Sequence, residues 1–235
     1  GYSLRLAGAT IPIAGNSVVH PQTADCNGED RDKFCYRMDG LLLRLNAQGK
    51  LQSSWGKSGV QFVGGGGQEK LYDGFVDHAG RTLFVGRTSS YDLDMKRPRA
   101  GTDRFDAFIG RLDSHGVMDR TFGKTGVVTV AGVLDERAAR VVELASGNYA
   151  VAYQKSDPKA PRDEADDAPK APGVLLLNDR GARVGDAAVP VFGKAVALAI
   201  ARDGSILLAG LAQRPAPGGP IPEGNDLFFC VVSVL

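Results

Sequence analysis

Phe108-Ile-Gly-Arg-Leu112, Gly126-Val-Val-Thr-Val130, Ala139-Arg-Val-Val-Glu-Leu144 and Tyr149-Ala-Val-Ala-Tyr153 are four short apolar runs in one stretch of the chain, set apart by turn residues. Each has strand length and is rich in β-branched or aromatic residues, so the stretch predicts four strands, here termed a, b, c and d. Copies flank it on both sides. Upstream, Leu41 to Leu45, Gly59 to Val63, Leu71 to Val76 and Thr82 to Gly86 repeat the order a, b, c, d. Downstream, Gly173 to Leu177, Ala188 to Phe192, Ala195 to Ile200 and Ile206 to Gly210 repeat it again, with Pro190 marking the third b strand as weak or at an edge. Ser3 to Gly15 aligns without a gap on Val141 to Tyr153 and so reads as a further c–d hairpin. Leu227 to Leu235 reads as one more a strand.

The turns repeat with the strands. Between a and b stand Asn46-Ala-Gln-Gly49, Asp113-Ser-His-Gly116 and Asn178-Asp-Arg-Gly181, each an Asx residue followed by a glycine suited to positive φ. Two of them continue into an aromatic-Gly-Lys-Ser/Thr-Gly core, Trp55 to Gly59 and Phe122 to Gly126. The c–d turns are Asp77-His-Ala-Gly80, Ser146-Gly-Asn148 and Asp203-Gly-Ser205. A four-stranded antiparallel unit of roughly 60 residues that repeats in this way predicts a β-propeller blade.

The fold expected is therefore all-β: a single domain, residues 1–235, forming a four-bladed β-propeller closed by pairing the N- and C-terminal segments in one blade. The closing blade would be 1–19 plus 226–235, and the others 41–88, 106–154 and 173–213. An open β-solenoid or a sandwich is the competing architecture. No b strand is visible before Ser3, which predicts a three-stranded closing blade, a shortened N-terminus or a slot for a partner's strand.

The run from Asp106 to Gly126, with its arginine-leucine pair, Asx-x-x-Gly turn and Thr121-Phe-Gly123 end, resembles the delta-60 repeat of bacterial proteins. Asp203-Gly-Ser-Ile-Leu-Leu-Ala-Gly210 resembles the other half of that repeat. The third copy departs from it, since Gly181 to Ala188 has no aromatic-glycine element. The resemblance implies a propeller in secreted or envelope-associated proteins and brings no catalytic residues with it.

With 28 basic and 27 acidic residues the net charge is +1, so the field that draws nucleic acid is absent. No apolar run approaches the ~20 residues that span a bilayer. No charged-then-apolar leader opens the sequence at Gly1, so any secretory leader is expected to have been removed or never included in this sequence. Cys26 and Cys35 bracket a polar segment that a disulfide would order, and a bridged loop implies a periplasmic or secreted protein. The other reading is two free cytosolic thiols. Cys230, in an apolar run, reads as a buried filler.

Function is expected in the insertions that join each d strand to the next a strand, His20 to Gly40, Ser89 to Phe105, Lys155 to Pro172 and Arg214 to Asp226, all on one rim. They carry the candidate binding residues Asp30, Asp32, Tyr91, Asp92, Asp94, Asp163, Asp166, Asp167 and Asp226. Such acidic clusters suit calcium or a cationic partner. Alternatively they only solvate long loops, because Arg31, Lys33, Lys96, Arg97, Arg99 and Arg162 interleave with them and no EF-hand spacing is present. No cofactor is expected otherwise. The histidines His20, His78 and His115 are scattered, and no nucleophile elbow is present. Trp55 suits packing between blades, or less favourably a sugar platform. The expectation is a non-catalytic, monomeric propeller that binds another protein or a surface ligand. The alternatives are a hydrolase or lyase with a central-channel site, or a carbohydrate-binding module.

Overall fold

The computed structural model describes residues 3–4, 10–19, 37–64, 67–89, 105–130, 135–156, 170–189, 193–213 and 225–232. These residues form strands and turns with no helix. The strands are β1 (Ser3–Leu4), β2 (Thr10–Val19), β3 (Arg37–Asn46), β4 (Val60–Val63), β5 (Glu69–Val76), β6 (Thr82–Thr88), β7 (Asp106–Leu112), β8 (Val127–Val130), β9 (Asp135–Glu143), β10 (Tyr149–Ser156), β11 (Lys170–Leu177), β12 (Arg183–Ala188), β13 (Gly193–Ile200), β14 (Ile206–Gln213) and β15 (Asn225–Val232). They pair in chain order into four antiparallel sheets: β1 to β4, β5 to β8, β9 to β12, and β13 to β15. The sheets are neither closed nor curled.

The strands lie where the apolar runs predict them, but the sheets divide the chain differently from the expected units. Each sheet takes its strands in the order c, d, a, b, so the expected blades 41–88, 106–154 and 173–213 each straddle two sheets. Among the described residues the expected closing blade of 1–19 with 226–235 is not paired. β2 pairs with β3 from Thr10↔Asn46 to Val19↔Arg37, and β15 pairs with β14 from Ile206↔Val232 to Gln213↔Asn225. Strand d therefore pairs with the next a across the long insertion. Doubling a loop adds only about 0.6 kcal/mol of closure cost, which seven or more consecutive residue pairs outweigh. Among the described residues the strand lacking from the series is accordingly the b strand of the fourth sheet, beside β15, and not one before Ser3. The third b strand also lies earlier than expected. It ends at Ala188, ahead of Pro190, since proline cannot donate to a ladder.

Consecutive sheets pack face to face through three apolar layers. Ala14, Leu42, Trp55 and Val63 of the first sheet meet Leu71, Phe84, Phe108 and Leu112 of the second. Leu83, Val85, Ile109 and Phe122 then meet Val141, Tyr149, Val151 and Leu175 of the third. Ala150, Ala152 and Val174 in turn meet Ala195, Leu198, Ile206 and Leu208 of the fourth. Within β6, Phe84 points one way and Leu83 and Val85 the other. A sheet covered on both faces needs apolar residues at both parities, which is why these strands read as unbroken apolar runs.

The repeated motifs tie neighbouring sheets together at one rim. Gly56 N–H donates to His115 O at 2.7 Å, and Gly123 N–H donates to Arg180 O at 2.8 Å, so each aromatic-glycine pair sits on the a–b turn of the following sheet. Gly116 and Gly181 make room for it. A Cβ on Gly116 would lie 2.6 Å from the Gly56 nitrogen, and one on Gly181 would lie 2.9 Å from the Gly123 nitrogen. Arg111 stacks 4.6 Å over Phe122 and donates to Asp179 O in the next turn. Arg44 is its counterpart, 5.9 Å from Trp55, donating to Gly80 O at 3.2 Å. At the equivalent register positions the third sheet has Leu176 and the fourth Val231. Trp55 is 1% exposed, so it is a packing residue and not a sugar platform.

Candidate functional site

Antiparallel pairing puts the start of every c and a strand and the end of every d and b strand at the rim opposite those turns. The long insertions spring from this rim. Along one edge of the stack β1, β5, β9 and β13 lie next to one another in series. Three of them carry a β-bulge at the same place, where Tyr72, Ala139 and Val196 have no partner in the adjoining d strand. A bulge frees a backbone group and re-aims side chains. β5 and β9 are also edge strands, and two of their amides are caught from the neighbouring sheet: Leu71 N–H donates to Asn16 Oδ1 at 2.8 Å, and Val141 N–H to Asp73 Oδ2 at 3.1 Å.

Charged residues gather around these bulges. Glu69, Asp73 and Glu136 are buried, as are Asp39 and Asp106 on the adjoining a strands. Glu69 Oε1 accepts from Thr88 Oγ1 at 2.7 Å. Arg137 Nε donates to Gln154 Oε1 at 2.8 Å and its guanidinium lies 5.5 Å from the Tyr72 ring centre, while Gln154 Nε2 donates onward to Ala195 O at 3.0 Å. Arg140 Nη1 donates to Ala139 O at 2.6 Å and to Tyr72 O at 3.5 Å. Arg87 covers Phe105 at 4.3 Å. These groups are engaged in holding the sheets in line, so the rim is a fixed base for its loops.

The apolar runs place the starts of these c strands at Leu71 and Ala139, whereas in the structure Glu69, Lys70, Asp135, Glu136 and Arg137 are already strand residues. Their charge hid them among apolar runs. The usable signal was the repeat itself, which matches Glu69-Lys-Leu with Glu136-Arg-Ala.

Asp30, Asp32, Tyr91, Asp92, Asp94, Asp163, Asp166 and Asp167, and likewise Cys26 and Cys35, lie outside the described residues. Asp226 is in β15, its backbone opposite Ala212. Among the described residues no group of three or more His, Cys, Asp or Glu could hold a metal ion. His20 lies outside the described residues. His78 and His115 stand in separate turns on the other rim, where His78 N–H donates to Glu143 Oε2 at 2.9 Å and its imidazole meets Glu143 Oε1. Cys230 is half-buried against the third apolar layer, less covered than its apolar run predicts. No helix among the described residues is long and apolar enough to cross a membrane.

Fold and rim together define an all-β protein built of repeated antiparallel units, stacked in chain order, with its insertions gathered at one end. No family model matches the chain, and no curated protein matches it.

Proposed function

We propose that the four sheets are blades of a β-propeller of the delta-60 repeat kind, and that the protein is an exported, non-catalytic interaction module that grips a partner protein or surface ligand with its long-loop rim. One observation carries this reading: all the strands joined by long insertions end on a single rim, while the other rim is closed by short Asx-Gly turns bonded across sheets. Loops held on a rigid scaffold are the usual place for recognition. The acids of the inner strands that a channel hydrolase would call on, Glu69 and Asp73, are bonded to Thr88 and to the Val141 amide. The acidic insertions, with Asp30, Asp94 and Asp163, supply the binding residues and suit a cationic partner.

The test is photo-crosslinking in extracts of the natural source. The reactive residue is placed in turn at Asp30, Asp94 and Asp163 on the loop rim and at Ser114, Asp179 and Asp203 on the turn rim. Discrete adducts from loop positions alone are expected. Adducts from the turn positions, or none from either rim, would overturn the reading.

A further inference from the structure

The two ends of the stack expose faces composed like its interior. On the outer face of the fourth sheet, Ala199 pairs with Leu207, which pairs with Val231; Ala197 pairs with Ala209, which pairs with Phe229; and Leu211 pairs with Leu227. Apart from Lys194, which stands opposite Leu211 at one end of this face, these side chains are apolar, yet Leu207 is 40% exposed, Leu227 73%, Phe229 81% and Val231 61%. The outer face of the first sheet matches it. Ile13 pairs with Leu43 and Leu43 with Val60, Ile11 pairs with Leu45, and Leu41 pairs with Phe62, which is 48% exposed. An antiparallel sheet with one face in water alternates apolar and polar residues, whereas these two sheets are apolar at both parities, the pattern of sheets covered on both sides. Exposed contiguous apolar surface of this kind marks an interaction site.

We infer that the stack continues from one molecule to the next, the outer face of the fourth sheet in one copy packing on the outer face of the first sheet in another. The occupant follows from continuity with the interface already present. The fourth sheet turns outward the face that every earlier sheet turns toward its successor, and the first sheet turns outward the face that every later sheet turns toward its predecessor. A head-to-tail contact reproduces that polarity; two fourth sheets face to face would not. The junction needs no arginine-aromatic tie, because the third and fourth sheets already pack without one, through Ala150, Ala152, Ala195 and Leu208. The receiving side is clear. Gly49 has nothing within 4 Å of where a Cβ would stand, whereas Gly116 and Gly181 lie against the preceding sheet. The inference takes the four blades as open within one chain, with the ring completed only by further copies, and it does not rest on the loop-rim reading, so the two fail separately.

Such a contact is heterologous, closing into a ring or running on as a fibre. Sedimentation velocity and light scattering over a concentration series are the measurements. The wild-type chain is expected to show species of twice the monomer mass or more. Phe229→Lys and Phe62→Lys, both at exposed positions, should each weaken association by roughly tenfold or more while leaving the denaturation curve in place. Mixing the two variants is decisive. Each keeps the face that the other lacks, so the mixture should form a capped one-to-one dimer that neither variant forms alone. A wild-type chain that stays monomeric throughout would overturn the inference. So would dissociation by Phe229→Lys but not by Phe62→Lys, the signature of two fourth sheets pairing with each other, or a mixture that stays monomeric.

Discussion

Arg111 is 1% exposed, and all three of its nitrogens are used: Nε donates to Asp119 at 2.8 Å, Nη1 to Tyr149 Oη at 3.3 Å and to Asp179 O, and Nη2 to Thr121 Oγ1 at 3.3 Å. Burial alone would push the Asp119 carboxyl up, but the Thr121 hydroxyl and amide and the Arg111 guanidinium hold it below its ordinary range. Removing one member strands the rest, so Arg111→Met should cost about 3–5 kcal/mol in urea denaturation. Tyr149 and Tyr153 are pushed up to about 12, chiefly by burial, with Asp77 beside the one and Asp186 beside the other adding to it. A raised phenol favours the fold fully below the ordinary value of 10.0, and that share is lost as the pH climbs from there toward about 12. Absorbance titration should show two of the six tyrosines ionising late in the native protein and normally in denaturant, with the late fraction gone in the Tyr149→Phe, Tyr153→Phe double variant. Glycine substitutions separate backbone strain from contact. Gly49, at φ 73°, has open space around it, so Gly49→Ala should cost only the left-handed strain of about 1 kcal/mol. Gly116, at φ 83°, lies against Gly56 and Trp55, and Gly116→Ala should cost at least about 2 kcal/mol more by the same denaturation assay.

At the scale of the element, the repeat unit is a sheet plus the tie that fastens it to the next one. The first and second sheets carry both parts of the tie, Arg44 with Trp55 and Arg111 with Phe122. The third has lost both parts together, with Leu176 in place of the arginine and Gly181 to Ala188 in place of the aromatic-glycine run. The fourth sheet is therefore held without the tie, by apolar contact and the Gln154–Ala195 hydrogen bond, and has only three strands among the described residues. Native-state hydrogen exchange should show β13, β14 and β15 opening at lower free energy than β6, β7 and β10, which are covered on both faces. Equal protection across all four sheets would mean that the ties add nothing measurable. The aromatic-glycine motif was visible in the sequence as a repeat. Its role was not, because the turn that receives it lies about a whole repeat further along the chain.

For the whole molecule, sheet-on-sheet stacking sets which rim carries the insertions and leaves the apolar outer faces of the first and fourth sheets in solvent. The export reading makes a chemical prediction that needs no partner. With three cysteines in the chain, a Cys26–Cys35 bridge leaves one titratable thiol, Cys230, in denatured unreduced protein and three after reduction. Three thiols without reductant would remove that support for an oxidising compartment.

Local chemistry sufficed for the strands and their turns. Apolar runs of strand length, punctuated by Asx-x-x-Gly, specify hairpins because both the period and the turn conformation are properties of a few adjacent residues. The number of repeats was legible for the same reason, and so was the packing role of Trp55. Which repeats share a sheet was not. A cut between b and c and a cut between d and a produce the same string of runs, and only pairing across the insertions, Val19 with Arg37 and Thr88 with Asp106, separates them. Nor could the chain order show that Glu69 and Glu136 are buried. Their charge is tolerated only because bulges and neighbouring sheets bring polar partners to them, and those partners are assembled by the tertiary fold.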